Sequence, residues 1–321
     1  MGQPIQEKIQ QQVEVSEAQA GMRVDQAAAE LFSGLSRSRL QEWIKTGELT
    51  VNGQKVKPKE RLLGTETLVL DAVVEVQVED APEAIELEII YADEHLVVIN
   101  KPAGLVVHPA AGHHQGTLLN GLLHQFPQLA NLPRAGIVHR LDKDTTGLMV
   151  VAASLAAHAG LVEQFQERSV ERFYAAIVYG VMTGGGCVDA PIDRHPHDRK
   201  RQAVVDTGKE AVTHYRVQER FRGHTLVQAQ LETGRTHQIR VHMHHIRYPL
   251  VGDGVYGGRL RLPAGASPAL REALQGFKRQ ALHAQRLGFI HPVTQEFMEF
   301  EAPLPADMEQ LVSLLKEDAQ A

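Results

Sequence analysis

Cysteine is almost missing from this 321-residue chain, in which Cys187 stands alone. One thiol cannot close an internal disulfide, so a stapled secreted scaffold is excluded and a reducing, cytoplasmic setting is expected. Long hydrophobic runs are missing too. The longest nearly apolar stretch, residues 147–162, is shorter than the ~18 clean residues of a membrane span and contains His158, so it reads as buried secondary structure. The N-terminal MGQPIQEKIQQQVEV lacks the apolar centre of a signal peptide, and Gln6 stands where a myristoylation signal needs Ser or Thr. GxGxxG and GxxxxGK[ST] do not occur, which removes the support for dinucleotide or P-loop chemistry. HExxH and CxxC are absent as well. His242 and His244 would share one strand face as readily for packing or phosphate contact as for zinc, and no metal is expected.

Acidic residues outnumber basic ones, 39 to 33, for a net charge of −6. That balance alone argues against a nucleic-acid partner, but the signs are segregated. From residue 35 to 61, Arg37, Arg39, Lys45, Lys55, Lys57, Lys59 and Arg61 outweigh Glu42, Glu48 and Glu60. From 72 to 94 there are eight acidic residues, Glu75 to Glu94, and no basic one, with Ala81-Pro82 between the two halves of that run. The charge shift predicts a domain boundary there. The length fits roughly two domains of ~150 residues.

Four segments follow. Residues 1–14 are Gln-rich without an apolar period and are expected to be a mobile tail. Residues 15–79 form a small basic module. Val24, Ala27, Ala28 and Leu31 recur at helical spacing, and Ser36 stands as an N-cap before a second helix with Leu40, Trp43 and Ile44 on one face and Gly47 at its stop. LTVNGQKV, with Asn52-Gly53 between β-branched residues, predicts a two-residue hairpin. The stretch GMRVDQAAAELFSGLSRSRLQEWIKTGELTVNG resembles the S4 RNA-binding module, which is not catalytic. That resemblance implies RNA contacts from Arg37, Arg39, Lys45 and Lys55.

Residues 80–86 read as a linker and 87–321 as a catalytic domain. Short β-rich runs there, among them GIVHRLD, GLMVVAAS, RFYAAIVYG, VTHYRVQER, TLVQAQLETG and HQIRVHMH, alternate with helical ones. Runs within 211–245, with turns at Arg222-Gly223 and Thr233-Gly234, predict antiparallel strands. The fold class is α+β: a helix-helix-hairpin module, then a mixed, mainly antiparallel central sheet flanked by helices. Cys187, in the loop-like MTGGGCVDAP without a neighbouring base, reads as structural.

Asp142 in HRLDKDTTG follows a strand expected at Gly136 to Val138 and lies at an edge where side chains reach a cleft; read alone, such an Asp is more often an N-cap than a catalyst. RFYAAIVYG and LETGRTHQIRVHMHH change that weighting. Together with GIVHRLDKDTTGLMVVA and PLVGDGVYGG, they resemble the pseudouridine synthases of the large-subunit and tRNA class over nearly the whole chain. The resemblance implies that Asp142 is the nucleophile, that Tyr174 stacks on the target base, that Arg240 pairs with Asp142, and that Arg140 fills the gap left by a flipped uridine. Attack at the ribose C1′ and at the base C6 both stay open. The basic loop DRHPHDRKRQ, with Arg199 and Arg201, reads as phosphate contact or as a solvated turn. The implied partner is large-subunit (23S) ribosomal RNA or a pre-ribosomal particle, at the helix 69 hairpin, met by a monomeric isomerase without cofactor. A non-catalytic RNA-binding assembly factor, or a relative modifying another uridine, is the alternative.

Overall fold

The computed structural model describes residues 5–32, 37–76, 81–109, 115–198 and 201–320. It divides into two compact units, Met1–Glu79 and Asp80–Ala321.

The first unit runs β1 (Ile5–Glu14), α1 (Val24–Leu31), α2 (Arg37–Thr46), β2 (Leu49–Val51) and β3 (Thr67–Val76), with antiparallel sheet order β1-β3-β2. Val24, Ala27 and Ala28 of α1 meet Leu40, Trp43 and Ile44 of α2 over Leu68 and Leu70 of β3. The two amphipathic faces expected from spacing thus form this core. The expected N-cap Ser36 lies outside the described residues. Two expectations fail here. Residues 5–14 are a strand rather than a mobile tail. Ile9 and Val13 are four apart, which puts both on one face of a strand, and both pack against the core. The hairpin is cut short. Asn52 and Gly53 make the left-handed turn, with φ 49° and 73°, but only Gln54 bridges back to Val51. Lys55 turns instead toward α2, its Nζ donating to the Thr46 carbonyl at 3.2 Å, and β2 pairs with β3.

The second unit contains β4 (Glu88–Ala92), β5 (Leu96–Lys101), α3 (Leu118–Gln125), β6 (Thr146–Ala152), α4 (Leu155–Glu167), β7 (Glu171–Tyr179), β8 (Gly186–Asp189), β9 (Ile192–Arg194), β10 (Gln202–Val204), β11 (Val212–Arg220), β12 (His224–Leu231), α5 (Gln238–His245), α6 (Pro268–Gly276), β13 (Leu282–Ile290), β14 (Phe297–Glu301) and α7 (Ala306–Gln320). Its nine-stranded sheet has the order β4-β5-β6-β13-β7-β12-β11-β8, with β14 added on β13. Only β6 and β13 run parallel, and all other pairs are antiparallel. The sheet is mixed and mainly antiparallel, as expected.

Both faces of its centre are buried, which explains the near-continuous apolar strands. Val97, Ile99, Met149 and Val151 face α3 and α5, whereas Leu96, Val98, Leu148 and Val150 face α4. Residues 81–86 are not a free linker. Ile85 packs on the α3 side of the core, Asn120 Nδ2 donates to the Ala81 carbonyl at 2.8 Å, and the Gly116 N–H donates to Glu83 at 2.9 Å.

Three further expectations fail. Gly136 to Val138 is no strand, since a tight turn at Pro133–Gly136 leads into a loop and Ile137 makes one bridge, to Val151. Cys187 lies in β8 rather than in a loop. HQIRVHMH is a helix, α5. It is enclosed on nearly every side, with Gln238 through Met243 all buried, so its apolar residues carry no one-sided helical period and happen to alternate as in a strand.

Gly147 joins β6 to β13 with φ 114°, and a Cβ there would lie 2.3 Å from the Ala284 carbonyl oxygen and 2.6 Å from its nitrogen. The parallel junction consists of two residue pairs, His283 with Thr146 and Ala284 with Gly147. Gly147→Ala is therefore expected to cost about 3 kcal/mol or more, through the left-handed backbone and the forced separation of the strands. A urea midpoint equal to that of the parent chain would contradict this close approach.

Candidate active site

The loop between Ile137 and Thr145 is fixed from below before any of its side chains reach the solvent. His139 stacks on Phe165 with centroids 4.8 Å apart, and its Nε2 accepts the Val150 N–H at 3.0 Å. Burial, with the nearby Arg172 charge, pushes its pKa down to about 3, so the ring is neutral and can accept. Lys101 ends β5 fully buried, and its ammonium donates to the carbonyls of Pro102, Leu105 and Lys143 at 2.8, 2.9 and 2.9 Å. Burial lowers its pKa to about 8, against the opposing pull of Asp144 and Asp142. The Lys143 carbonyl it holds is one residue beyond Asp142.

Asp142 lines a cavity of about 420 Å³ together with Arg140, Phe165, Arg172, Tyr174 and Arg240. Its Oδ2 accepts Arg240 Nη1 at 2.9 Å, while Oδ1 faces His237 Nε2 at 3.9 Å. Arg240 turns its other edge to Asp253, with Nε to Oδ2 at 2.7 Å and Nη2 to Oδ1 at 3.0 Å. The Asp253 side chain is fully buried, and Oδ1 also accepts the N–H groups of Val255 and Tyr256. Burial alone would raise the Asp253 carboxyl. The Arg240 hydrogen bonds and charge outweigh that and hold it below the ordinary carboxylate range. Arg240 is in turn raised above its usual range by the two carboxylates, against its own burial.

Helix α5 carries Arg240, and Gln238 fixes its start. Its Oε1 accepts from Thr233 Oγ1 and the Arg235 N–H at 2.8 and 2.9 Å, and its Nε2 donates to the Val212 carbonyl and Thr213 Oγ1 at 2.9 and 3.0 Å. His242, first considered as a metal ligand, spends both ring nitrogens on protein, Nδ1 with Thr213 Oγ1 at 2.8 Å and Nε2 with the Ala190 carbonyl at 2.9 Å. Tyr174 comes from β7, where its cross-strand neighbours are Ala229 and Ala284.

One carboxylate, held by a buried guanidinium in a pocket of nucleoside size, suits nucleophilic chemistry on a ring taken out of a nucleic-acid stack. Residues 95–245 match the RNA pseudouridylate synthase family, and residues 22–68 match the S4 domain. The chain is 60% identical over 313 residues, 98% of each chain, to the ribosomal large subunit pseudouridine synthase D of Pseudomonas aeruginosa. It is 53% identical to that of Escherichia coli K12 over 97% of this chain and 96% of that one. The chain belongs to the RNA pseudouridylate synthase family. Among solved structures, human RNA pseudouridylate synthase domain containing 4 superposes with a TM-score of 0.56 at 30% identity, over 71% of this chain and 93% of that one.

The pseudouridine synthase unit thus brings Asp142, Tyr174, Arg240 and Arg140 to one cavity, with Arg140 exposed at its wall. Arg201 sets its guanidinium 5.3 Å from the centre of the Tyr256 ring, and the Tyr256 hydroxyl meets His237 Nδ1 at 2.9 Å. Arg199 lies outside the described residues. In the S4 unit Arg39 lies 6.0 Å from the centre of the Trp43 ring, Lys45 is exposed in the last turn of α2, and Lys55 is exposed beside them. Arg37 opens α2, and its side chain lies outside the described residues.

Spacing did not single out Asp253, Lys101, His237 or Tyr256. Asp253 and Tyr256 lie within PLVGDGVYGG, where an acid between glycines reads as a turn. Lys101 had a signal, since a charge closing the apolar run LVVIN must either leave the core or be held within it.

Asp253→Asn would leave a buried guanidinium short of its charge partner, a change that costs about 3–5 kcal/mol for buried pairs. Because the folded-state pKa of Asp253 is lowered, its stabilising contribution is present above the ordinary carboxylate range and is lost as pH falls through the folded value. Urea unfolding of the two chains is thus expected to differ most near pH 7 and to converge in acid. A gap that stays constant down to pH 3 would contradict an ionised Asp253.

Proposed function

We propose that this enzyme isomerises uridine to pseudouridine in large-subunit (23S) ribosomal RNA, at the helix 69 hairpin, with Asp142 as the nucleophile. The ribosomal large subunit synthases it matches at 53–60% identity support large-subunit RNA as the substrate, and the helix 69 hairpin is what the family resemblance implies. The observation that carries the mechanism is the chain of contacts from Asp253 through Arg240 to Asp142 in the cavity wall. It supports a carboxylate with one oxygen tied to Arg240 and the other left to attack.

The reaction breaks the bond from N1 to C1′ and rejoins the same base through C5, so it needs no outside electrons. It requires a carboxylate nucleophile, a pocket that keeps the loose base, and a proton acceptor at C5. Tyr174, in the cavity wall, stacks on the base. Extrusion of the uridine costs a few kcal/mol, which Arg140 offsets by filling the vacated stack. The S4 unit, through Arg37, Arg39, Lys45 and Lys55, and the 193–202 loop, through Arg199 and Arg201, hold the phosphates of the hairpin. The enzyme acts as a cytoplasmic monomer. Among the described residues no helix is long and apolar enough to cross a membrane.

Asp142→Asn is expected to abolish product in a tritium-release assay while RNA affinity stays within a few-fold, because an isosteric amide removes the attacking oxygen and little binding surface. Residual turnover near the parent rate would remove Asp142 from the mechanism. Mapping pseudouridines in RNA from cells lacking the protein tests the target, and an unchanged helix 69 would move the assignment to another uridine. Arg140→Ala and Arg240→Ala should also separate. Single-turnover rates on a target already unstacked are expected to recover in part for Arg140→Ala and not for Arg240→Ala, because only Arg140 offsets the flipping cost. Equal recovery of both would show Arg140 to be misassigned.

A further inference from the structure

Five arginines line the cavity, Arg134, Arg140, Arg172, Arg235 and Arg240, against one carboxylate, Asp142. Arg240 takes that carboxylate, and the Arg235 Nε donates to the Glu210 carbonyl at 2.9 Å. Arg172 is different. It is 8% exposed, its Nη2 donates to the Glu232 carbonyl at 3.2 Å, and its Nε has no hydrogen-bond partner among the described residues. Its guanidinium lies 5.4 Å from the centre of the Phe165 ring and forms no ion pair with a described acid. A Cβ on Gly234, another cavity residue, would lie 2.9 Å from Arg172 Nη1, so the glycine leaves room for the guanidinium. Arginine does not give up its proton in proteins, and a buried cation left without a counter-charge is costly unless function supplies one.

Arg172 and Tyr174 are two apart on β7 and share one face of the strand. A base stacked on Tyr174 would turn an edge toward Arg172. A phosphodiester at the mouth would meet exposed Arg140 first, so the anion that reaches Arg172 has to enter with the base. We infer that Arg172 is a further catalytic residue, whose guanidinium pairs with the carbonyl oxygens of the target uracil and stabilises the negative charge that the base acquires during isomerisation. This rests on the function proposed above.

The charge has a definite origin. If Asp142 Oδ1 bonds to C1′, the electron pair of the C1′–N1 bond leaves with the base, as a uracil anion spread over N1, O2 and O4. When C5 attacks C1′, that ester bond breaks and its pair returns to Asp142. The proton shed by C5 passes to water, and N1 takes one from water. If Asp142 adds to C6 instead, the C5=C6 pair moves toward O4. Both routes load the oxygens that Arg172 would face, and donors aimed at developing charge in a closed site are worth large rate factors.

The test compares uridine and 5-fluorouridine at the target position of a helix 69 RNA, because fluorine withdraws electrons and stabilises the anion without the protein's help. Single-turnover loss of the N-glycoside is measured for the parent chain, Arg172→Met and Arg172→Lys. Expected for Arg172→Met is a loss of at least about 100-fold on uridine, with RNA affinity within a few-fold, that narrows to under about 10-fold on the fluorinated substrate. Arg172→Lys, which keeps the charge, is expected to fall between, with the same narrowing, and carries the test if the methionine variant does not fold. A deficit equal on both substrates would mean that Arg172 only shapes the pocket. Lost affinity at an unchanged saturating rate would mean a phosphate contact. Either result overturns the inference while leaving the function intact. A parent chain inactive on this RNA overturns both.

Discussion

The site depends on a single guanidinium that two carboxylates share. Arg240 gives two of its donors to Asp253 and one to Asp142. Asp253 is buried and satisfied by backbone N–H groups as well, so it has no competing water to turn to. That asymmetry matters. A freely rotating arginine beside Asp142 would lose its advantage to side-chain entropy, whereas one already fixed by a bidentate pair presents its last donor at a set angle. Asp142 is thereby positioned without spending its second oxygen, and an attacking group needs that oxygen.

The fold supports this pair from two directions. Helix α5 is pinned at its first residue by the four hydrogen bonds of Gln238, which places Arg240 one half-turn further on. The Asp142 loop is held from beneath by two groups of opposite character, the fully buried charged Lys101 and the neutral His139. Between them runs the strand pairing at Gly147, where the backbones of β6 and β13 touch. Lys101 and Gly147 lie outside the cavity lining, whereas His139 and Gln238 form part of it, and each limits where Asp142 can be. Effects of about 1 Å at such distances are enough to cost two orders of magnitude in rate.

Much of this was legible in the residues, for identifiable reasons. The α1 and α2 faces were readable because each helix is buried on one side only, so Val24, Ala27 and Ala28 or Leu40, Trp43 and Ile44 keep a helical period. Helix α5 was misread because it is enclosed on nearly every side, and IRVHM then imitates a strand. β1 was misread because its glutamines hide an apolar residue at every fourth position, a spacing that a strand presents on one face. Asp142, Tyr174 and Arg240 were accessible only through the family resemblance. They come from a loop, a strand and a helix, and Arg240 and Asp142 lie 98 positions apart. Asp253 escaped because a carboxylate between glycines looks like an ordinary turn, and its partner is visible only once α5 is in place.

The most direct check on this arrangement is a kinetic cycle of single-turnover rates for the parent chain, Asp253→Asn, Arg240→Lys and the double variant on one RNA. If Asp253 acts only by holding Arg240, the double variant is expected to be no slower than the slower single one, because the second change removes an anchor from a group already displaced. Independent losses that multiply in the double variant would contradict the shared guanidinium as the organising contact of the site.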